Sequence, residues 1–249
     1  MHMEAFSKAA QKPVKQGLKQ RLRHIFGRAA QAPIGSGNQF LEAIMNERPD
    51  LKGQTAYFPE QGCFGYTVFI GDEVFKGPRS AGLAKNFEHE PDALQELEGK
   101  GLPVPRVTCR GKDAFFYGMT RLEGVTFESV QKKMTEGELQ GLAEEVTDFM
   151  IDMARKLPRK NGLYAMQGDL REPNILVDAV TKKLTGIIDF GMVCNVTKDD
   201  LKPRFVSDGH FREMLTKALE RKKAALPDTP KNTKSVYAKA DVSHGGLLL

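Results

Sequence analysis

Three polar side chains within residues 166–191 have the clearest capacity for chemistry in this sequence. Asp169 and Asn174 lie five residues apart, and Asp189 follows after a short spacer, each within an apolar frame. An ionised carboxylate in an apolar setting is costly unless it is paired or binds a metal. Carboxylate and amide oxygens are ligands of Mg²⁺. The pattern therefore predicts a proton acceptor and magnesium ligands, which together suit phosphoryl transfer from a magnesium nucleotide.

The sequence around these residues resembles two motifs of a known superfamily. Residues 167–176 read Gln-Gly-Asp-Leu-Arg-Glu-Pro-Asn-Ile-Leu, and residues 187–191 read Ile-Ile-Asp-Phe-Gly. They resemble the catalytic loop and the magnesium loop of the protein-kinase-like superfamily, in the style of aminoglycoside phosphotransferases and choline kinases. Asp-Phe-Gly alone would be weak evidence, but the offset between Asp169 and Asn174 makes the resemblance strong.

The resemblance implies an α+β, two-lobed protein-kinase-like fold, with a five-stranded antiparallel N-lobe sheet and a reduced, mostly helical C-lobe. It also implies ATP and Mg²⁺ as cofactors. Asp169 would accept or orient the proton of an attacking hydroxyl, and Arg171 would brace the γ-phosphate. Asn174 and Asp189 would hold magnesium. Gln167 stands where the superfamily has histidine, and glutamine can still donate and accept hydrogen bonds.

A group of three residues resembles the second half of a kinase glycine-rich loop. They are Gly62, Phe64 and Gly65, which precede an apolar strand pattern. Glycine lets backbone amides approach phosphate oxygens closely, so the resemblance implies that these residues bind ATP. The first glycine of the motif is missing, and a plain hairpin is an equal alternative.

A lysine at the end of the next strand pattern is the predicted cation of the nucleotide site. Lys76 alternates with apolar neighbours, so its side chain is expected to point inward. In the superfamily such a lysine pairs with nucleotide phosphates and with a carboxylate of the following helix. Glu90 suits that position better than Glu88, although Pro91 directly after it is awkward for a helix.

The chain divides into four predicted parts. Residues 1–38 form a basic segment that is flexible or serves secretion or targeting, 39–118 the N-lobe, 119–226 a minimal C-lobe, and 227–249 a disordered tail. Apolar periodicity predicts helices over 39–46, from 83 or later to 98, over 135–157 and over 208–226. Met119 and Arg121 fall in the predicted hinge, where backbone groups would bind adenine.

Composition narrows the class of protein. Cys63, Cys109 and Cys194 are far apart and odd in number, which argues against a disulfide framework or a zinc site. No apolar run reaches the length of a membrane span, and no Sec signal is visible. The basic residues concentrate at the two ends, whereas residues 31–216 hold 28 acidic and 23 basic residues. The ends are expected to be solvated tails or contacts to a membrane surface, and no specific nucleic-acid contact is predicted.

The phosphate acceptor is the open question at this level. Only 58 residues follow Gly191, too few for the helical subdomain with which the small-molecule kinases enclose their substrates. This resembles truncated effector kinases that bacterial pathogens inject into host cells. It predicts an ATP-dependent serine/threonine protein kinase and virulence effector that phosphorylates a host protein, either bacterial cytoplasmic or secreted into the host cytoplasm. The alternatives are a small-molecule kinase and a non-catalytic pseudokinase that serves as a binding module. A metal-dependent hydrolase would leave Gly62, Gly65 and Lys76 unexplained.

Overall fold

The computed structural model describes residues 36–59, 65–79, 87–112, 116–230 and 233–236. The predictions for the basic N-terminal segment up to residue 35, and for Gly62 and Phe64, lie outside these residues. The described part of the chain forms a sheet lobe followed by a helical lobe. No helix in these described ranges is long and apolar enough to cross a membrane.

The sheet lobe contains the predicted five-stranded antiparallel sheet. Its strands are β1 (Ala56–Tyr57), β2 (Gly65–Ile70), β3 (Glu73–Pro78), β4 (Val107–Arg110) and β5 (Tyr117–Thr120), in the spatial order β1-β2-β3-β5-β4. Helix α1 (Gly37–Glu47) begins after Ser36, whose side chain accepts a hydrogen bond from the Gln39 amide. Helix α2 (His89–Leu97) connects β3 to β4 in the chain.

Alternation along the strands gives the sheet two buried faces. Val68 and Phe75 pack with Phe40 of α1 in a small core on one face. Val74 and Met119 lie on the other face and join the main core, which continues into the helical lobe. Because successive side chains of a strand point to opposite faces, Lys76 lies on the same face as Val74. The sheet therefore directs Lys76 toward the space between the lobes.

The helical lobe is organised around one long helix. It contains α3 (Phe127–Val130), α4 (Glu136–Lys156) and α5 (Gly209–Lys223). A capping box between Thr135 and Glu138 starts α4, in agreement with the helix predicted over 135–157. Two small antiparallel sheets lie in this lobe: β7 (Tyr164–Gln167) with β10 (Val193–Val196), and β6 (Val125–Thr126) with β8 (Ile175–Val177) and β9 (Leu184–Ile187).

These small sheets place the two predicted motifs side by side. The catalytic-loop residues lie between β7 and β8, and the magnesium-loop residues lie between β9 and β10. β7 pairs with β10, and β8 pairs with β9. Each loop therefore connects the same two strand pairs, and the two loops lie next to each other. The backbone amide of Gly168 donates to the carbonyl of Met192 at 2.6 Å, which joins the beginning of the catalytic loop to the end of the magnesium loop.

Residues 227–230 and 233–236 form hydrogen bonds with the helical lobe, although the composition of this segment predicts an unstructured tail from Pro227. Val236 exchanges two backbone hydrogen bonds with Asn195 of β10, at 2.8 and 2.6 Å. Lys198 donates to Asp228 at 2.8 Å, and its backbone amide donates to the Thr229 hydroxyl at 2.9 Å. Composition does not reveal these bonds because the partners lie about thirty or more residues earlier in the chain.

Candidate active site

A lysine and a glutamate form a paired group at the centre of the site, as the sequence predicts. The Nζ atom of Lys76 lies 3.0 and 3.1 Å from the two carboxylate oxygens of Glu90. Their side chains are 14% and 4% exposed. Pro91 does not disturb this arrangement, because α2 begins at His89 and proline therefore occupies the first turn. The awkward proline is thus compatible with the predicted pair.

The Glu90 carboxylate has two further donors. The hydroxyl of Tyr117 donates to Oε2, and the backbone amide of Phe190 donates to Oε1 at 3.1 Å. Burial, and next the charge of Glu90, raise the pKa of Tyr117, so that the phenol remains a donor. Burial alone would lower the pKa of Lys76, but the charges of Glu90 and Asp189 outweigh it and raise this pKa. Lys76 is therefore a fixed cation.

Asp189 brings the helical lobe into contact with this pair. Its Oδ1 atom lies 3.4 Å from Lys76 Nζ, and its side chain is 41% exposed. Its φ angle of 63° lies in the left-handed region, which aspartate tolerates better than most residues. Phe190, the next residue, is fully buried and packs against Phe149 of α4. The buried ring anchors the loop while the Asp189 carboxylate stays accessible.

Gln167 links the two loops from the position where histidine is expected. Its side-chain amide donates to the carbonyl of Asp189 at 2.9 Å, and its side-chain oxygen accepts from the backbone amide of Asp169. Glutamine can make both bonds because its side chain carries a donor and an acceptor. The Gln167 side chain therefore connects the catalytic loop directly to the magnesium loop.

Asp169 forms a two-point ion pair with Arg171. The Nε and Nη2 atoms of Arg171 lie 2.7 Å from Oδ1 and Oδ2 of Asp169 respectively. The hydrogen bond to Asp169 is the main reason why the pKa of Arg171 is raised. Asp169 is nearly buried, whereas Arg171 is about half exposed. The guanidinium thus contacts the predicted proton acceptor, and its predicted contact with a γ-phosphate remains a prediction.

Asn174 is oriented by the same loop. Its Nδ2 atom donates to the backbone carbonyl of Asp169 at 2.9 Å, so its Oδ1 atom is the end of the amide left to face a cation. The backbone amide of Ile188 donates to the carbonyl of Asn174 at 3.0 Å, which brings the residue before Asp189 next to it. The structure therefore places an amide oxygen and a carboxylate on adjacent loops.

This donor set fits magnesium bound together with a nucleotide. No cluster of three or more His, Cys, Asp and Glu side chains suited to a metal occurs in the described part of the chain. Mg²⁺ commonly keeps several waters and uses one or two protein ligands with substrate phosphates, so a three-residue cluster is not required. Asn174 and Asp189 supply the oxygen donors that such an ion prefers.

The other described residues predicted to bind ATP, namely Gly65, Met119 and Arg121, lie in different environments. A Cβ atom on Gly65 would overlap the ring of Phe87 and would lie 2.7 Å from the backbone carbonyl oxygen of Gly77, so close packing requires this glycine irrespective of any phosphate. Met119 is buried and pairs in register with Val74. The backbone amide of Arg121 already donates to the carbonyl of Asp72 at 2.8 Å. That particular amide is therefore not free for adenine.

Arg121 nevertheless contacts the Lys76-bearing face of the sheet through its side chain. Its guanidinium lies 5.0 Å from the ring centroid of Phe69, and Phe69 stacks on Tyr57 at 6.0 Å. Phe69 pairs in register with Val74, two residues before Lys76, so the stack lies on the face that carries the lysine. The role of Arg121 in ATP binding stays a prediction, now assigned to its side chain.

Sequence reasoning missed Tyr117 as a partner of Glu90 and underrated Gln167 as a link between the two loops. Tyr117 gave no signal beyond an apolar strand pattern, because its hydroxyl contact with Glu90 spans 27 residues. Gln167 was noticed only as a replacement for histidine, and its two bonds depend on how the loops approach each other. Both residues carry polar atoms inside otherwise apolar strands, which is the signal that could have identified them.

No protein-family model matches the sequence, and neither does any curated protein. Solved structures do match. The GDP complex of aminoglycoside 2'-phosphotransferase-IIIa aligns with a TM-score of 0.61 and 18% identity, over 76% of this chain and 87% of that chain. The streptomycin–ATP complex of APH(2'')-IIa gives 0.56 and 15%, over 72% and 81%. APH(3'')-Id from Streptomyces rimosus gives 0.55 and 15%, over 74% and 90%.

These similarities establish the fold of the chain. Aminoglycoside phosphotransferases belong to the protein-kinase-like superfamily. The chain therefore has the two-lobed, protein-kinase-like α+β fold that the resemblance of its motifs predicts.

Proposed function

We propose that this chain is an ATP- and magnesium-dependent phosphotransferase that acts on an alcohol group. The observation that carries the proposal is the position of Lys76, which joins Glu90 of its own lobe and lies 3.4 Å from Asp189 of the other lobe. A fixed cation beside an accessible carboxylate is suited to hold phosphate oxygens on one side and a metal on the other. The fold by itself would not indicate the chemistry.

Each residue has a role that its contacts support. Lys76 would bind phosphate oxygens, and Asn174 and Asp189 would hold magnesium. Bound magnesium would neutralise the negative charge that repels the incoming hydroxyl. Asp169 would take the proton of that hydroxyl, since its two oxygens offer about four acceptor sites and Arg171 occupies only two of them. Arg171 would keep the carboxylate oriented while it does so.

For the acceptor, we favour a small molecule over a protein. The solved structures that resemble the chain include complexes described as containing streptomycin or gentamicin. An acceptor of this chemical class, a polyhydroxylated amine, supplies the hydroxyl that Asp169 would deprotonate. The prediction of a secreted serine/threonine kinase with a host-protein substrate has no comparable support and is kept as the alternative outcome of the experiment.

The experiment is a phosphate-transfer assay with purified chain, labelled ATP and Mg²⁺. The acceptors are streptomycin, gentamicin, choline and a host-cell lysate, offered separately. We expect labelled phosphate on a small alcohol and no transfer by the Asp189→Ala variant. Protein bands that appear with lysate and vanish in Asp189→Ala would instead support the protein acceptor. Nucleotide binding without transfer to any acceptor or to water would contradict the proposal and indicate a binding module.

A further inference from the structure

A buried glutamate lies inside the candidate catalytic loop, between Arg171 and Asn174. Glu172 begins a short 3₁₀ turn that ends at Asn174, and its side chain contacts the residues that precede helix α5. The residue is 3% exposed. A buried carboxylate without partners is strongly unfavourable, so the contacts of Glu172 define what it does.

The contacts of Glu172 converge on the start of helix α5. Its Oε1 atom accepts from the backbone amides of Ser207 and Asp208, each at 2.8 Å, and its Oε2 atom accepts from the Ser207 hydroxyl at 2.8 Å. These donors lie 35 and 36 residues later in the chain. In the described part of the chain, no lysine or arginine forms an ion pair with Glu172. The carboxylate is therefore satisfied by one segment, next to the N-cap of α5.

That segment is itself fixed. Val206 is fully buried, and its carbonyl accepts from Nε of Arg212 at 2.8 Å. Phe211, in the first turn of α5, packs on Phe127 with ring centroids 4.5 Å apart. Asp208 caps the helix by accepting from two backbone amides within that turn. The turn that begins at Glu172 is thus connected, through its hydrogen bonds to Ser207 and Asp208, to a segment that packs in the core of the helical lobe.

The loop that carries Asp169 and Asn174 is consequently held by two sets of contacts. Gln167 and the Ile188 amide join the catalytic loop to the magnesium loop. Glu172 joins the same loop to the start of α5. Pro173 follows Glu172 and limits the backbone freedom of the turn, so a displacement at Glu172 is transmitted to Asn174.

We propose that Glu172 is a positioning residue for phosphate transfer, which fixes the loop carrying Asp169 and Asn174 to the N-terminal end of α5. The inference rests on the proposed function. Glu172 does not touch the nucleotide or the acceptor, and it acts through the two residues that do. Misplacement of reacting groups by about 1 Å can cost about 10²-fold in rate, so loss of this anchor is expected to lower kcat.

Two substitutions at Glu172 separate its hydrogen bonds from its charge. Glu172→Ala removes all three bonds. Glu172→Gln can retain them, because its side-chain oxygen can accept both backbone amides while its amide group donates to the Ser207 hydroxyl. We expect Glu172→Ala to lower kcat for phosphate release from MgATP at least about tenfold, with the Kd for MgATP within about twofold of wild type. Glu172→Gln should restore kcat to within about threefold of wild type.

Asp208→Ala is the matched control. It removes the helix cap at the same position but leaves the backbone amide that Glu172 binds, so it tests loss of stability without loss of the anchor. We expect a lower melting temperature with kcat close to wild type. If Glu172→Ala does not fold, Ser207→Ala removes one of the three bonds and should lower kcat by about twofold to fivefold.

The outcomes decide the inference. It is overturned if folded Glu172→Ala keeps the wild-type kcat, if Asp208→Ala loses as much kcat as Glu172→Ala, or if Glu172→Gln gives no rescue. Hydrogen exchange supplies a readout that does not depend on activity: Glu172→Ala, but not Asp208→Ala, should lose amide protection at residues 169–175. A wild-type chain without phosphate release or transfer would refute the proposed function, while the exchange experiment would still test the anchor.

Discussion

The paired group of Lys76 and Glu90 yields a prediction that tests both the site and its energetics. The perturbation is a set of three variants: Lys76→Met, Glu90→Gln and the double variant. Each single substitution removes one charge and leaves the other buried. The double substitution removes both charges and keeps similar side-chain volumes. The pattern of the three unfolding free energies distinguishes a buried, coupled pair from two independent contacts.

The expected magnitudes follow from burial and from the remaining partners. With side chains 14% and 4% exposed, the pair belongs to the buried class, in which removal of one partner costs about 3–5 kcal/mol. In Lys76→Met, Glu90 keeps its hydrogen-bond donors from Tyr117 and Phe190. We therefore expect a loss of unfolding free energy at the lower end of this range, about 3 kcal/mol. In Glu90→Gln, Lys76 keeps its 3.4 Å contact with Asp189, and we expect a similar cost. The double variant should lose about 2 kcal/mol less than the sum of the two single variants.

Urea unfolding at pH 7 measures the three free energies, and equal m-values confirm that the unfolded states are comparable. The same proteins are assayed for phosphate transfer, where Lys76→Met should lower kcat/KM by about 10²-fold through loss of the phosphate contact. Additive costs, with a coupling free energy below about 0.5 kcal/mol, would refute the interpretation of a buried coupled pair. Full activity of Lys76→Met would refute its assignment to the nucleotide site.

Three further predictions address other parts of the structure. Asp169→Asn should lower kcat by about 10²–10⁴-fold with little change in the Kd for MgATP, and retention of kcat would exclude Asp169 as the proton acceptor. Gly65→Ala should cost about 1–3 kcal/mol in urea unfolding, because its Cβ atom would overlap Phe87; Phe87→Leu in the same chain should recover part of that cost, and no recovery would contradict the packing argument. The hydrogen bond and then the charge of Glu136 raise the pKa of His210. Protonated His210 therefore stabilises the folded chain; this contribution is complete below about pH 6.5, the unfolded-state pKa, and is lost as pH rises through the folded-state pKa. The difference in melting temperature between wild type and His210→Gln should therefore shrink from about pH 5.5 to about pH 8.5, and a constant difference would contradict it.

The predicted site residues that contact one another in the structure are those whose positions follow from local spacing. Asp169 and Asn174 are set by one short loop, and Lys76 is set by strand alternation two residues after Val74. Each position depends on a few neighbouring residues, and the structure brings these residues together. Helix α4 was predictable for the same reason, since its capping box and apolar face are both local features.

The contacts that escaped prediction connect distant segments. Glu172 reaches Ser207 across 35 residues, and Glu90 reaches Tyr117 across 27. Their polar atoms come together only in the folded chain, so no sequence periodicity predicts these contacts. The bonds of Asp228, Thr229 and Val236 are of the same kind, because they depend on Lys198 and on the edge of β10.

Glu90 is one of the residues that connect the two lobes. Its carboxylate accepts from Lys76 on β3 and from Tyr117 on β5, both in the sheet lobe, and from the Phe190 amide in the helical lobe. A buried carboxylate loses free energy when any donor is withdrawn, so the position of the Phe190 amide is coupled to that of helix α2. Since Asp189 directly precedes Phe190, the distance between its carboxylate and Lys76 follows that coupling. The positions of the cation and of the predicted metal ligand are therefore both coupled to this buried carboxylate, and the site takes residues from both lobes.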